Sequence, residues 1–341
     1  MPAARVGKDF PASCAEFLAW FGQDWQCADY LDWLCWPDGF VCPKCATARG
    51  WRGPDGRWRC AGCAGRFSAT AGTIFHRTRT PLTVWFDTAW RLCSSRTGVS
   101  AVEIQEQMQL GSYQTAWTML HRYRSVMVRP GRERLTGDVE VDEAFLGGPQ
   151  PGVRGRGALG KTLIAGVVER EGDGFGRARL AVIDSADTGA LRRFLTDHVA
   201  PGATVHTDGW SSYPPATRGL YHHEPISVSA SGLQAHEVLP AVHTVFGMAK
   251  RWLMGTHHGA VRPAHVQAYL DEWVFRFNRR NSGSRGLLFY RLLSQAVAGE
   301  PVRYADLRKA GMTRPAPPPP GQERGRPPSL ALGPTGLPWR E

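Results

Sequence analysis

The sequence predicts a multidomain α+β protein in which a four-cysteine module and a helical segment precede an α/β domain with a mixed sheet. Three observations predict this architecture. Two Cys-x-x-Cys pairs lie near the N-terminus, apolar residues then recur at helical spacing, and strand-like alternation begins at about residue 136. A chain of 341 residues is long enough for two or three domains and one sizeable core.

The composition points to a nucleic-acid partner. Lys and Arg number 41 against 30 Asp and Glu, which gives a net charge of +11. A protein this basic often binds a polyanion, although a solubilising surface charge would give the same balance. The sequence has no apolar run of about 18 residues and no secretory pattern, so we expect no membrane span, reduced thiols and a cytoplasmic protein.

Residues 1–36 are rich in aromatic side chains at helical spacing and predict two short helices that pack over the next module. Three cysteines of this segment, Cys14, Cys27 and Cys35, have no paired spacing. We therefore expect them to be buried apolar thiols rather than metal ligands.

Residues 37–68 predict a zinc ribbon, because each Cys-x-x-Cys turn places two thiolates on one side and Asp55-Gly56 supplies a hairpin turn between the pairs. The four predicted ligands are Cys42, Cys45, Cys60 and Cys63. A redox dithiol is the alternative, but two matched pairs favour zinc. Four protein sulfurs leave no open coordination position, so we predict a structural Zn²⁺.

Residues 69–135 predict three helices in a helix-turn-helix arrangement. The first follows Pro81, the second begins at the capping box of Ser100 and Glu103, and Gly111 makes the turn before the third. A packed bundle without DNA contact is the alternative. The residues expected to face outward and reach DNA are Gln114, Thr115, Thr118 and Arg122.

Residues 136–311 predict a ribonuclease H-like α/β domain with a mixed sheet, because three strands in a meander are followed by a helix that crosses to a fourth strand. The predicted elements are strands at 139–145, 161–171, 177–184 and 203–208 and a helix at 188–199. The Pro-rich tail, residues 312–341, cannot pack a core and is expected to be disordered.

Residues 155–162 match the G-x-x-x-x-G-K-[ST] pattern of a nucleotide-binding P-loop. A P-loop must open a helix, whereas the apolar residues after Thr162 predict a strand. We therefore interpret this stretch as a basic loop near DNA backbone, with an ATPase as the weaker alternative.

Acidic residues on two predicted strands are the candidates for catalysis. Successive side chains of a strand alternate between faces, so Asp142 and Glu143 cannot both face one metal site. Asp208 ends the fourth predicted strand, and Gly209 turns the chain directly after it. Two carboxylates brought together from separate strands are what two-metal phosphoryl transfer requires. We therefore predict that Asp142 and Asp208 converge.

A helix beginning near Pro240 carries the remaining candidates. His243, Gly247 and Lys250 run along one side of it at helical spacing. Gly247 leaves room between the two polar side chains for a strand of DNA.

As a set, these pieces resemble the insertion-sequence transposases that have an N-terminal zinc ribbon and a DDE-type ribonuclease H-like domain. The resemblance covers most of residues 40–295. It is carried by the two cysteine pairs and by VEVDEAFLGG, GRGALGKT, HTDGWSSY, KRWLMGTHHGAV and YLDEWVFRFNRRNS. It implies a nucleoid-associated bacterial protein that binds transposon terminal repeats and target DNA, cleaves and transfers DNA strands, and forms a homo-oligomer on double-stranded DNA.

The resemblance also assigns roles to single residues. Asp142 and Asp208 match the first two acidic positions, and His243 stands at the third, where such enzymes usually carry Glu or Asn. Lys250 would anchor a phosphate. Imidazole suits transition ions better than Mg²⁺, so the catalytic ion is expected to be Mg²⁺ or Mn²⁺ with a shift toward Mn²⁺. The alternative is a catalytically inactive transposase, decayed or domesticated, that acts as a DNA-binding protein.

Two further groups of polar residues have less specific patterns. Arg276, Asn278, Arg279 and Arg280 predict a basic patch that contacts DNA backbone, with a solvated face as the alternative. His257 and His258 lack an acidic partner in register, so we interpret them as loop or DNA-facing residues.

Overall fold

The computed structural model describes residues 4–147, 161–172, 174–226, 232, 234–259 and 261–309. The chain divides into two compact units. The first comprises residues up to Pro130 together with Ser282–Lys309, and the second comprises Gly131–Asn281. The C-terminal part of the predicted 136–311 domain therefore lies in the first unit. The predicted tail at 312–341 lies outside the described residues.

The helices and strands are numbered in chain order. The helices of the described residues are α1 Cys14–Trp20, α2 Asp24–Cys35, α3 Leu82–Ser94, α4 Ala101–Gln107, α5 Tyr113–Arg124, α6 Thr188–His198, α7 Tyr213–Thr217, α8 Ala235–Val238, α9 Pro240–His257, α10 Val266–Phe277, α11 Arg285–Ala298 and α12 Tyr304–Lys309. The strands are β1 Gly50–Arg52, β2 Trp58–Cys60, β3 Arg66–Phe67, β4 Asp138–Leu146, β5 Thr162–Glu171, β6 Gly174–Val182, β7 Thr204–Thr207 and β8 His222–Pro225.

An aromatic cluster forms the core of the first unit. Phe17 of α1 stacks on Trp90 of α3 with ring centroids 4.7 Å apart, and Phe289 of α11 meets both Phe17 and Phe86 edge-on. The predicted N-terminal helices are confirmed. The prediction that all three cysteines of this segment are buried is confirmed for Cys27 and wrong for Cys14, which is exposed, while Cys35 is only partly buried.

Serine caps set the starts of α4 and α5. The hydroxyl of Ser100 accepts a hydrogen bond from the Glu103 amide at 3.1 Å, and a second serine caps α5 in the same way. The three predicted helices are therefore present. The outward orientation predicted for Arg122 is wrong, because its guanidinium donates to the carbonyls of Val302 at 2.9 Å and Ile74 at 3.1 Å.

A five-stranded sheet in the order β6-β5-β4-β7-β8 forms the centre of the second unit. β4, β5 and β6 are antiparallel, whereas β7 and β8 run parallel to β4. Helices α9 and α10 cover one face, and α6 and α7 pack on the other. The predicted mixed sheet is confirmed. The last strand, β8, was not predicted because HHEP has no apolar alternation.

The outer strand of this sheet, β6, has side chains from α10 and the residues after it bonded along its free edge. Gln267 accepts from the Val182 amide at 2.8 Å, and Asn278 bonds both backbone groups of Ala178. Arg280 donates to the carbonyls of Gly176 and Phe175. An unpaired edge strand is a site for aggregation, and these contacts close it. Asn278 and Arg280 therefore have partners within the protein, and their contact with DNA stays a prediction.

Two other predictions concern elements of the second unit. Residues 155–160 lie outside the described residues, but β5 begins at Thr162, so a strand and not a helix follows the P-loop pattern. His257 is the last residue of α9 and packs edge-on against Trp252 and Tyr269, so its interpretation as a loop residue is wrong. No helix in the described part of the chain is long and apolar enough to span a membrane.

Candidate metal centres

The four predicted zinc ligands come together in the first unit. The sulfurs of Cys42 and Cys63 are 3.6 Å apart, those of Cys45 and Cys60 are 3.5 Å apart, and all four lie within 4.8 Å of one another. Tetrahedral zinc with bonds of about 2.3 Å would hold its sulfurs about 3.8 Å apart. The ribbon therefore carries a four-cysteine metal site that fits Zn²⁺.

Backbone amides prepare the sulfurs of both turns for a cation. The amide of Lys44 points at the sulfur of Cys42 at 3.4 Å, and the amide of Gly62 points at that of Cys60 at 3.3 Å. Hydrogen bonds to a sulfur stabilise the thiolate, which is the form that binds metal. Thr47, through side-chain and backbone hydrogen bonds, lowers the pKa of Cys45 to about 6, whereas burial raises the pKa of Cys42 to about 12 despite the amide contact.

Aromatic side chains support the ribbon where the short strands offer little core. Phe40 and Trp58 stack with ring centroids 4.9 Å apart and planes nearly parallel. Together with Trp36 and Phe67 they pack against the buried cysteines. A module this small cannot bury enough apolar surface alone, so a structural ion is needed to hold it folded.

The second candidate centre lies at the middle of the larger sheet. Glu140 and Asp142 of β4 share one face, because side chains of a strand alternate. β4 pairs with β7 so that Glu140 lies beside His206. Continuing that register by two residues places Asp208, which follows β7 directly, beside Asp142 on strands about 4.8 Å apart. The β4–β7 pairing itself ends at Glu140 and His206, so this proximity of the two aspartates is an expectation from the register.

The third predicted ligand reaches the same place from a helix. The Nε2 atom of His243 on α9 is 3.3 Å from a carboxylate oxygen of Asp142. Asp142 is buried, and this imidazole is one of the polar groups that lie close to it. The helix therefore directs His243 at the first aspartate.

The loop that carries Asp208 is fixed by its own hydrogen bonds. The carboxylate of Asp208 accepts from the Trp210 amide at 2.9 Å, and the Tyr213 hydroxyl donates to Glu143 at 2.6 Å. Burial raises the pKa of Tyr213 well above its usual range, and the charges of Glu143, Asp142 and Asp208 add to that rise. The charges of both aspartates therefore act on Tyr213. Glu143 bonds Tyr213 and so lies on the opposite face of β4 from Asp142, as alternation predicts.

The spacing of Asp142, Asp208 and His243 differs from that of the ribbon. Among the described residues, only the four cysteines form a group of three or more ligand atoms that all lie within 4.8 Å of one another. Two ions in a phosphoryl-transfer site are about 3.5–4 Å apart, so ligands of different ions lie further from each other. Two carboxylates and an imidazole are suitable donors for such a pair.

Lys250 follows His243 by two turns of α9 and lies near Asp142. Partial desolvation lowers the pKa of Lys250, the charge of Asp142 opposes this shift, and Lys161 adds to it. A Cβ atom built on Gly247 would have no neighbour within 4 Å, so there is open space between His243 and Lys250. This side of α9 has room for a bulky anionic ligand.

Two acidic residues near the site bear on the assignment. Glu237 is an acidic residue that precedes α9 and could in principle replace the missing third carboxylate. It lies on α8, and its carboxylate accepts from the Gln234 amide at 2.7 Å. Glu140 precedes Asp142 by two residues on β4 and therefore shares its face. In the structure it is buried and accepts hydrogen bonds from the amides of Ala241 and Val242 at the start of α9. No local sequence signal could reveal this contact between distant residues.

Two models of known protein families match the chain, one over each of these regions. Residues 134–278 match the ISXO2-like transposase domain, and residues 22–66 match the transposase zinc-ribbon domain. None of the curated proteins compared with the chain matches it. The first match spans β4 to β8, α9 and α10, and the second includes α2 as well as the four cysteines. The chain therefore belongs to the family of insertion-sequence transposases that have a zinc ribbon and a DDE-type, ribonuclease H-like domain.

Proposed function

We propose that this transposase binds the terminal repeats of an insertion sequence and carries out metal-dependent DNA cleavage and strand transfer. Asp142, Asp208 and His243 are the proposed metal ligands, and Lys250 is the proposed phosphate anchor. The observation that carries the proposal is the approach of His243 to Asp142 at 3.3 Å, with Asp208 at the end of the adjoining parallel strand.

The donor set decides which ions the site would prefer. Two carboxylates and a neutral imidazole carry less negative charge than three carboxylates, so Mg²⁺ would bind less tightly and Mn²⁺ would be favoured. When bound, divalent ions would activate the attacking oxygen and stabilise the leaving oxygen of the DNA phosphate. Zn²⁺ in the ribbon would have a structural role only, because its four sulfur ligands complete the coordination.

The chain's own residues would place the DNA. Lys250 offers a compact positive charge to a phosphate, and Gly247 leaves the space that the strand would need. Tyr213 and Glu143 would hold the end of β7, so that the Asp208 carboxylate stays directed at the substrate. Each of these contacts reduces the reorganisation needed when the reacting phosphate arrives.

DNA binding by the first unit is the second part of the proposal. The net charge of +11, the zinc ribbon and the three helices α3 to α5 favour a double-stranded DNA partner. Strand transfer at two transposon ends requires at least a dimer assembled on DNA. The protein would act in the bacterial cytoplasm at the nucleoid, where this substrate lies.

Cleavage of DNA that contains the flanking terminal repeats tests the proposal. Wild-type protein should nick this DNA with Mn²⁺ and more weakly with Mg²⁺, and Asp208→Asn should abolish nicking. Asp197→Asn on the exposed side of α6 is the matched control and should cut like wild type. Specific binding of the repeats without any metal-dependent nicking would instead indicate an inactive, DNA-binding transposase.

A further inference from the structure

A buried carboxylate holds the start of the helix that carries His243. Glu140 is only 1% exposed, and its Oε2 atom accepts from the amides of Ala241 at 2.8 Å and Val242 at 3.0 Å. The other carboxylate oxygen lies 3.8 Å from the guanidinium of Arg170. Glu140 therefore has partners for both oxygens within the protein.

Helix α9 depends on this contact because it has no cap of its own. The N-cap residue, Leu239, carries no side-chain acceptor, and Pro240 at the first position has no amide hydrogen. The next two amides are the ones that a capping side chain normally satisfies. A negative charge at this end also interacts favourably with the dipole of an 18-residue helix.

The same strand thus determines both members of the Asp142–His243 pair. Asp142 follows Glu140 by two residues on the same face of β4. His243 follows Val242, whose amide Glu140 binds, and its own amide donates to Leu239 in the first turn of α9. A shift of this turn along β4 would move the imidazole and leave Asp142 in place.

We propose that Glu140 is a positioning residue of the metal site: it locks the first turn of α9 onto β4 and so sets the approach of His243 to Asp142. The inference rests on the proposed function. Glu140 itself is not a ligand, because its oxygens are bound by the helix amides and face Arg170. Groups that orient metal ligands without touching the metal typically change metal affinity by about 10–100-fold when they are removed.

A Mn²⁺ titration monitored by electron paramagnetic resonance tests this role. The titration uses the zinc-loaded full chain without DNA. Glu140→Ala should raise the Kd for Mn²⁺ by about 10–100-fold. Glu140→Gln keeps an acceptor of the same length for both amides and should restore affinity to within about fivefold of wild type, since it loses the charge and the contact with Arg170 but keeps the bonds to the helix. Glu140→Asp keeps the charge but is too short to reach the helix, and should remain weak.

A second buried carboxylate provides the control for general destabilisation. Glu169 of β5 is 7% exposed and binds Arg177, away from α9. Glu169→Gln should weaken the fold and leave the Mn²⁺ affinity unchanged. If Glu140→Ala does not fold, the contrast between Glu140→Gln and Glu140→Asp decides the matter in the same way.

The outcomes separate this inference from the proposed function. Wild-type affinity in Glu140→Ala, or equal loss in the Gln and Asp variants, would overturn the positioning role alone. If wild-type protein binds no Mn²⁺ that depends on Asp142 and Asp208, the proposed function fails and the positioning role fails with it. Loss in Glu140→Ala and Glu140→Asp, recovery in Glu140→Gln and no change in Glu169→Gln would support the inference.

Discussion

The contact of Asn278 with the edge strand β6 gives a prediction whose size follows from the structure. Its amide oxygen accepts from the Ala178 amide at 2.8 Å, and its amide nitrogen donates to the Ala178 carbonyl at 3.1 Å. Ala178 is fully buried, so Asn278→Ala would leave both of its backbone groups without these partners. This substitution should therefore destabilise the second unit.

The cost can be worked out from the two lost hydrogen bonds. Each contributes about 1 kcal/mol, and leaving buried backbone groups unsatisfied brings the total to about 2–3 kcal/mol. For a unit of this size, each kcal/mol lowers the melting temperature by about 2–4 °C, so the expected shift is about 4–12 °C. A nearby exposed amide, Asn281, provides the matched control variant Asn281→Ala, which should leave the melting temperature unchanged.

Thermal unfolding followed by circular dichroism measures this effect, and a DNA-binding titration below the transition completes the assay. Asn278→Ala should melt at a lower temperature and, while folded, bind DNA with wild-type affinity. Unchanged stability combined with weaker DNA binding would refute the structural role and support the interpretation of Asn278 as a contact to DNA backbone.

Four further substitutions test other parts of the structure. Cys60→Ser should remove the bound zinc, measured by metal analysis, and unfold the ribbon, because structural zinc supplies most of its folding energy; retention of a full equivalent of zinc would contradict the assignment. Burial alone would raise the pKa of Glu169, but its bonds to Arg177 lower it overall. Glu169→Gln should therefore be less stable than wild type at pH 7, and the difference in free energy of unfolding should diminish as the pH falls below about 4. Urea unfolding at a series of pH values measures this difference. Arg122→Met should lower the free energy of unfolding by about 1–3 kcal/mol without altering the DNA affinity of the folded protein. Gln114→Ala should weaken DNA binding and leave the free energy of unfolding unchanged.

Much of the sheet could be predicted because apolar residues follow a recognisable pattern along its strands. The alternation in β4 and the apolar run in β5 arise directly from packing on both sides of the sheet. β8 has neither pattern, and only its parallel pairing with β7 makes it a strand. The apolar stripe of α11 predicts a helix equally well in either unit, because a stripe does not name the surface that it packs against.

The candidate site, like the sheet, could be predicted from the sequence only in part. Asp142, Asp208 and His243 lie in local motifs, and spacing and family resemblance were enough to select them. The partner of Glu140 lies about a hundred residues away in the chain, so only the folded structure could reveal it. Arg122 illustrates the opposite error, since the sequence displays its charge but not the backbone carbonyls that it binds.

The most direct measurement is the single-turnover rate of Mn²⁺-dependent cleavage of repeat-containing DNA by wild-type protein, His243→Ala and His243→Glu. The structure predicts that His243→Ala cleaves at least about 100-fold more slowly, because a ligand of the ion is lost. His243→Glu should recover cleavage and shift the preference toward Mg²⁺, because a carboxylate suits that ion. Cleavage by His243→Ala at the wild-type rate would contradict the proposal that this imidazole and the two aspartates form one metal site.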